Sequence, residues 1–209
     1  MNSPIYLPVP AIRHLGVAPY EPTWRAMQQF TAERVAATRD EIWLTQHPPV
    51  YTLGLAGKSD HLLRADTGIP LVKIDRGGQI TYHGPGQLIA YVLLDLKRRN
   101  LGVRALVRKL ESAVINLLGE YHITANYRTD APGVYVQDAK IAALGLRIKN
   151  GRCYHGLALN IDMDLTPYHA INPCGYAGLA VTQLRDFGVS DTLETVSEKL
   201  AQHLLKALP

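Results

Sequence analysis

The sequence predicts an α/β fold in which a mixed, largely antiparallel sheet carries helices on its outside. Two apolar runs, residues 141–148 and 154–161, are separated by Asn150-Gly151, a pair that is typical of a β-hairpin turn. Residues 103–121 place apolar side chains at helical spacing. Because the strands occur in hairpins and do not alternate strictly with helices, a mixed or antiparallel sheet is favoured over a parallel one.

The remaining elements follow from local patterns. Further strands are predicted at residues 12–17, 41–46 and 71–75, and further helices at residues 23–38 and 192–208. Two more strand-like runs, residues 79–82 and 87–95, are joined by Gly84-Pro85-Gly86. This turn signal suggests that the two runs form a hairpin.

Length and composition indicate an ordinary globular protein. The apolar share is 47% and the charged share is 19%, and a chain of 209 residues can be served by one core, so residues 1–209 are expected to form a single domain. Pro4, Pro8 and Pro10 break the apolar core that a signal peptide would need. No apolar stretch approaches the ~20 residues of a membrane span. We therefore expect a soluble cytoplasmic protein that does not bind a membrane.

Charge and motifs exclude several classes of function. The net charge of +4 is spread over the chain, with clusters only at residues 97–99 and 104–109, so nucleic-acid binding is not expected. These clusters are interpreted as a solvated face or as a surface for an acidic protein partner. Neither nucleotide-binding glycine motif and no G-x-S-x-G motif is present. Without C-x-x-C or H-x-x-x-H pairs, no metal and no other cofactor is expected.

Cys174 is the candidate nucleophile. It lies in a loop rich in glycine and proline, between Pro173 and Gly175, where a thiol can be presented and backbone N–H groups can face an oxyanion. The alternative is a free cysteine that packs as a small apolar residue. That alternative is favoured for Cys153, which leads into an apolar strand.

Lys140 is the candidate partner of the thiol. A thiol with an ordinary pKa of about 8.5 is only about 3% ionised at pH 7, and a nearby ammonium group would raise the thiolate fraction. Lys140 begins an otherwise apolar run, where a partly desolvated lysine can tune its own proton affinity. The alternative is a solvated charge at a hairpin turn.

The segment from Arg76 to Gln87 is the densest in special residues. Its glycines allow close approach of the backbone to a ligand, and polar side chains alternate with them. It is interpreted as a wall of a ligand site, served by Gln79 and His83. The alternative is a tight hairpin that contains a satisfied histidine.

Four motifs in this order and spacing resemble one family. RGGQITYHGPGQ, KIAALGLRI, HGLALNIDMDL and INPCGYAG are similar to the octanoyl-(acyl carrier protein)–protein octanoyltransferases, also called lipoyl(octanoyl) transferases or lipoate biosynthesis protein B. The resemblance runs through nearly the whole chain. Ile80 and Tyr168 stand where the family pattern has Val and Phe, and both changes are conservative.

The resemblance implies a fold, a reaction and a set of site residues. The fold resembles the catalytic domain of lipoate-protein and biotin-protein ligases. Cys174 would form an acyl-thioester intermediate, and Lys140 would lower the thiol pKa and move protons. The residues implied to line the acyl site are Arg76, Gly77, Gly78, Gln79, Ile80, Thr81, Tyr82, His83, Ala143, Leu144, Gly145, Gly156, Leu157 and Ala158.

The resemblance also implies the partners. Octanoyl-acyl carrier protein would be the donor, and the lipoyl domains of 2-oxoacid dehydrogenases and the glycine cleavage H protein would be the acceptors. Because transfer from a thioester to an amine is downhill, no ATP is needed. Two alternatives remain at this point, namely an ATP-dependent lipoate ligase on the same fold and a carrier-protein-binding module without catalysis.

Overall fold

A seven-stranded sheet forms the centre of the molecule. The computed structural model describes residues 7–64 and 66–208, except for the side chain of Cys174. The residues on which the signal-peptide expectation depends lie in part outside this range. The strands are β1 (Ala11–Val17), β2 (Glu41–Gln46), β3 (Val50–Leu53), β4 (Leu71–Lys73), β5 (Ile80–His83), β6 (Gln87–Asp95), β7 (Asn126–Tyr127), β8 (Gly133–Val136), β9 (Ala139–Lys149) and β10 (Arg152–Asn160).

The order in the main sheet is β1-β2-β6-β10-β9-β8-β7. Only β1 and β2 are parallel, and the other neighbours are antiparallel. The mixed, largely antiparallel sheet is therefore confirmed, and so is the hairpin at Asn150-Gly151 that joins β9 and β10.

A second sheet has three strands in the order β4-β3-β5. The hairpin expected between residues 79–82 and 87–95 is wrong, because β5 belongs to this small sheet and β6 to the main one. Gly86, with a φ of +83°, makes the connection possible. A Cβ at Gly86 would lie 1.8 Å from the carbonyl oxygen of Asp162, so the chain crosses there between the two sheets without room for a side chain.

Three helices cover the main sheet on both faces: α1 (Tyr20–Glu33), α2 (Val103–Glu120) and α3 (Leu193–Ala207). The side chains of β6 alternate between the two sides. Leu88, Ala90, Val92 and Leu94 share a core with α2 and α3, whereas Ile89, Tyr91 and Leu93 share one with α1. This alternation follows from the two-residue period of a strand. Both faces of β6 are buried, as its apolar sequence predicts.

Helix α1 begins and ends earlier than the predicted residues 23–38. Pro22 lies inside its first turn, where the missing N–H costs nothing. The helix ends at Arg34, whose buried guanidinium donates to the carbonyl oxygen of Leu93 at 2.8 Å and pairs with Asp40. This inward turn of Arg34 stops the helix.

The basic cluster at residues 97–99 is not a solvated face. Arg98 and Arg99 both pair with the fully buried carboxylate of Asp40, at 2.7 and 2.5 Å. Arg99 is only 5% exposed. These arginines join β6 to the start of β2, so only Lys97 of the cluster faces solvent. Within the described residues, no helix is both long and apolar enough to cross a membrane.

Candidate active site

A cavity of about 380 Å³ lies between the main sheet and the small sheet. Its volume is within the usual range for small-molecule sites. Fourteen of the residues expected from the sequence line it, namely Arg76, Gly77, Gly78, Gln79, Ile80, Thr81, His83, Lys140, Ala143, Leu144, Gly145, Gly156, Leu157 and Ala158. Tyr82 does not line the cavity, since its ring packs with Tyr51 and Tyr168.

Glycines bring the walls of the cavity close together. A Cβ at Gly156 would lie 1.9 Å from the carbonyl oxygen of Ala90 on the neighbouring strand. A Cβ at Gly145 would lie 3.0 Å from Cδ of Arg76. The loop that carries Arg76 therefore lies directly on β9, and the N–H of Gly77 donates to the carbonyl oxygen of Leu146 at 2.9 Å. A larger residue at Gly145 would push this loop away from β9, and one at Gly156 would push β10 away from β6 within the main sheet.

Lys140 is the second residue of β9 and is only 4% exposed. Its Nζ donates to the carbonyl oxygen of Pro132 at 3.3 Å and lies 5.2 Å from the centre of the Tyr135 ring. The alternative of a solvated turn lysine is therefore wrong. The backbone of Lys140 is fixed as well, because its N–H donates to Ala180 at 2.8 Å and its carbonyl accepts from Thr182 at 3.0 Å.

The backbone of Cys174 lies in a 3₁₀ turn, Pro173–Gly175, that is held beside this lysine. Pro173, Thr81 and Lys140 line one small cleft. On the other side, a Cβ at Gly175 would lie 3.0 Å from Cγ of Gln79. The fold thus brings the turn, β5 and the start of β9 together.

Two backbone N–H groups of this loop have partners inside the loop. The N–H of Gly175 donates to Asn172 at 2.9 Å and that of Tyr176 donates to Pro173 at 3.1 Å. The expectation that the loop offers N–H groups to an oxyanion is therefore wrong for these two.

His83 connects the cavity to a buried polar network. Its Nδ1 donates to Oε1 of Gln87 at 2.7 Å, and its Nε2 lies 3.4 Å from the hydroxyl of Thr52, which accepts from Arg76 at 2.9 Å. Burial, with the nearby His47 and Arg76, lowers the pKa of His83 to about 3. His83 is thus neutral, with Nδ1–H as donor, and serves both the cavity wall and the core.

A second histidine lies behind the first. His47 is in edge-to-face contact with His83, and its Nε2 accepts from the hydroxyl of Tyr91 at 2.6 Å. Burial lowers the pKa of His47 to about 4. Tyr20 stacks on His83, with ring centres 5.7 Å apart, and burial raises the pKa of Tyr20. These rings make one wall of the cavity polar but uncharged.

His155 completes this wall from β10. It has a φ of +63°, which is unusual for a residue with a side chain inside a strand. Its Nε2 lies 3.2 Å from Asp75, which also accepts from Trp24 at 2.8 Å. Burial lowers the pKa of His155. The pKa of Asp75 is also lowered: burial opposes this, but hydrogen bonds from His155, Tyr154, Trp24 and Gln28 outweigh it.

Several lining residues were not identified from the sequence. These are Tyr20, Ile89, Tyr91, Val103, Val107, Asp130, Ala131, Pro132, Leu146, Ile148, His155 and Tyr176. Most are single residues inside a strand or helix, where the pattern indicates only core. Val103, the first residue of α2, is 45% exposed and lines the cavity.

Cys153 does not have the exposed, ionisable thiol that a nucleophile needs. It is fully buried, and its Sγ donates to the carbonyl oxygen of Val92 at 3.0 Å. Burial raises the pKa of the Cys153 thiol to about 12, so this thiol is not a nucleophile near neutral pH. Among the described residues, no group of three or more His, Cys, Asp or Glu side chains could hold a metal ion.

Comparison of the sequence identifies the family. Residues 19–205 match the family model of the lipoyl protein ligase A/B catalytic domain. The octanoyltransferase of Azoarcus sp. (strain BH72) is 63% identical over 198 residues, which cover 95% of this chain and 87% of that protein. The octanoyltransferase of Dechloromonas aromatica (strain RCB) is 62% identical over 95% of this chain and 97% of that protein.

Solved structures agree on the fold. The bipartite lipoate protein ligase of Thermoplasma acidophilum matches with a TM-score of 0.77 at 17% identity, over 95% of this chain and 83% of that one. The biotin protein ligase of Aquifex aeolicus matches with a TM-score of 0.57 at 15% identity, over 96% and 69%. The predicted likeness to both kinds of ligase is confirmed. The chain therefore belongs to the lipoyl protein ligase A/B catalytic domain family and, within it, to the octanoyltransferases.

Proposed function

We propose that this octanoyltransferase carries its acyl group on Cys174 and that Lys140 serves as the proton donor and acceptor. As a member of its family the chain is an acyltransferase that transfers octanoyl groups in protein lipoylation. In the first step the Cys174 thiolate attacks the donor thioester, and the carrier thiolate leaves and takes up a proton. In the second step an acceptor amine attacks the acyl-enzyme and loses a proton. An amide forms and the Cys174 thiolate is restored.

The burial of Lys140 beside the Cys174 turn is the observation that carries this proposal. Lysine is rarely as buried as Lys140, which is 4% exposed, unless it has a partner in the protein. An ammonium group near a thiol favours the thiolate, because opposite charges stabilise each other. The same group can give a proton to the departing carrier thiolate and later take one from the acceptor amine.

The apolar lining of the cavity supports an acyl chain as its ligand. Apolar groups from both sheets line it, including Ile80, Leu144 and Leu157. At roughly 0.8 kcal/mol for each buried CH₂, an eight-carbon chain would gain about 5 kcal/mol. One CH₂ changes affinity only a few-fold, so neighbouring chain lengths should compete and a lipoyl group is also acceptable.

The family takes octanoyl groups from acyl carrier protein and gives them to lipoyl domains. For this chain we propose octanoyl-acyl carrier protein as donor, and the lipoyl domains of 2-oxoacid dehydrogenases and the glycine cleavage H protein as acceptors. The cytoplasmic location, the single catalytic domain at residues 1–209 and the independence from ATP and other cofactors stay predictions.

Intact-mass analysis tests the proposal. After mixing with octanoyl-acyl carrier protein and no ATP, the purified protein should gain the mass of one octanoyl group and lose it when a lipoyl domain is added. Cys174→Ser should abolish both the adduct and the transfer. Cys153→Ser is the matched control, and it should keep both because its thiol is buried and un-ionised.

Three outcomes would overturn the proposal. An adduct that disappears in the Cys153 variant and persists in the Cys174 variant would move the nucleophile. Transfer that occurs only with ATP and free octanoate would favour the lipoate ligase reaction. The fold is compatible with that reaction, because lipoate-protein ligase A has the same fold and its structure was solved with ATP bound. A protein that binds the carrier without any transfer would be a binding module.

A further inference from the structure

A second cleft lies on the face of the main sheet that carries α1. It is formed by α1 and the β9–β10 hairpin and has a volume of about 650 Å³. Four cationic side chains line it: Arg25, Arg147, Lys149 and Arg152. Asp75 is the single carboxylate among the lining residues.

Asp75 offsets only one of the four positive charges, so an excess of positive charge remains in the cleft. Its carboxylate already accepts hydrogen bonds from Trp24, Gln28, Tyr154 and His155. Within the described part of the chain, none of the four cations of the cleft forms an ion pair. Excess positive charge in a concave site favours an anionic ligand.

The cleft also contains buried polar atoms without a partner. Nε of Arg147 and Oγ1 of Thr31 are buried, and neither makes a hydrogen bond within the residues that the structure describes. Leaving a buried donor unpaired costs free energy, and the cost is higher for a charged group. A guanidinium matches the oxygens of a phosphate particularly well, so the arginines of the cleft can bind a phosphate through their terminal nitrogens.

The loop after β4 contributes residues to both sites. Asp75 lines the cleft and Gly77 and Gly78 line the cavity, so the loop from residue 75 to residue 78 runs between them. Gly77 and Gly78 are exposed at the top of this loop. Because glycine has no side chain, an extended ligand can cross the loop from one site to the other.

We propose that the cleft binds the phosphate of the acyl donor, at the end of the pantetheine arm opposite the thioester. The inference rests on the proposed use of a carrier-protein thioester. Lys140 and Arg147 are seven residues apart on β9, or about 23 Å at the strand rise of about 3.3 Å. An extended pantetheine arm spans roughly 15–20 Å from sulfur to phosphorus, and the long side chains cover the difference.

Calorimetry with two matched ligands tests the proposal without using catalysis. We expect 4′-phosphopantetheine to bind the full chain at least about tenfold more tightly than pantetheine, which lacks the phosphate. This difference should fall to less than about twofold in the double variant Arg147→Met/Lys149→Met. Lys206→Met is the matched control, since Lys206 is exposed on α3 on the opposite face of the sheet, and it should keep the difference.

Each other result would overturn the inference. The two ligands could bind the unaltered chain equally well. The difference in their affinities, called here the phosphate effect, could also survive in the double variant or be lost in Lys206→Met. Inorganic phosphate that binds as tightly as 4′-phosphopantetheine would make the cleft a plain phosphate site. Melting temperatures confirm that the variants are folded. A chain that shows the phosphate effect but never acquires an octanoyl adduct would refute the proposed function and leave this inference standing.

Discussion

Lys140 has its amine in an unusual place for a lysine, inside the sheet and next to an apolar cavity. Burial of a charge is costly unless its partners compensate. The contacts with Pro132 and Tyr135 hold Nζ on the side of β9 that faces the Cys174 turn. Two roles are open to this ammonium group, namely lowering the thiol pKa and moving protons.

Two substitutions of Lys140 separate these roles. Lys140→Ala should shift the pH dependence of Cys174 alkylation upward, since the thiolate loses its cation, and each pH unit corresponds to about 1.4 kcal/mol. Lys140→Arg keeps the charge but cannot act as a base near neutral pH. It should therefore preserve much of the alkylation rate, while transfer to the acceptor amine falls roughly 100-fold or more.

The measurements are alkylation rates against pH and single-turnover transfer from the isolated acyl-enzyme. Near-normal turnover by the Arg variant would exclude the proton-transfer role. An Ala variant that is normal in both assays would exclude any role for Lys140 in the reaction.

At the scale of elements, β8 positions the ammonium group through Gly133. This glycine has a φ of +150°, and a Cβ there would lie 2.9 Å from Cε of Lys140 and 2.8 Å from the carbonyl oxygen of Ala142. Gly133→Ala should therefore push the lysine side chain out of its position. We expect kcat/KM for octanoyl transfer to fall at least about tenfold.

Gly188→Ala is the matched control for this prediction. Gly188 also has a positive φ, +78°, but a Cβ there would meet nothing within 4 Å. Both variants should lose stability of about 1 kcal/mol from backbone strain, whereas only the Gly133 variant should lose activity. Equal losses of activity after correction for the folded fraction would show that β8 does not position Lys140.

The elements that the sequence predicts best are those with long, regular patterns. Helix α2, the β9–β10 hairpin and β6 were found within about one or two residues. The short strands β3 and β8 were missed, although Val50–Leu53 and Gly133–Val136 are rich in β-branched and aromatic residues. The two-residue strand β7 has no local signal at all.

Which of the two sheets a strand belongs to is harder to predict than where the strand lies in the sequence. The turn at residues 84–86 was recognised, but whether it joins neighbours in one sheet or connects two sheets depends on contacts with β3, which is distant in the sequence. The same limit applies to the site. Motifs indicated the glycine loop and both faces of β9, whereas His47, Tyr91 and Asp75 reach the network only through tertiary packing.

For the whole molecule, packing the small sheet against the main one encloses neutral histidines. His47 and His83 have pKa values of about 4 and about 3, chiefly because of burial, and burial also lowers the pKa of His155. In the unfolded chain each would titrate near 6.5. Above that pH the histidines are neutral in both states and have no effect on the pH dependence of folding.

Below pH 6.5 these histidines bind protons in the unfolded chain but stay neutral in the folded chain. The free energy of unfolding must therefore decrease as the pH is lowered. By pH 5 the loss should be up to about 2 kcal/mol for each of His47 and His83. Asp75 does not contribute in this window, because its lowered pKa affects stability only below its ordinary value.

Urea unfolding at pH 7.5, 6 and 5 measures the effect. His47→Gln should be less stable at pH 7.5 but lose less stability on acidification, whereas His14→Gln, at an exposed position, should follow the unaltered chain. A free energy of unfolding that stays constant from pH 7.5 to pH 5 would mean that these histidines accept protons in the folded protein.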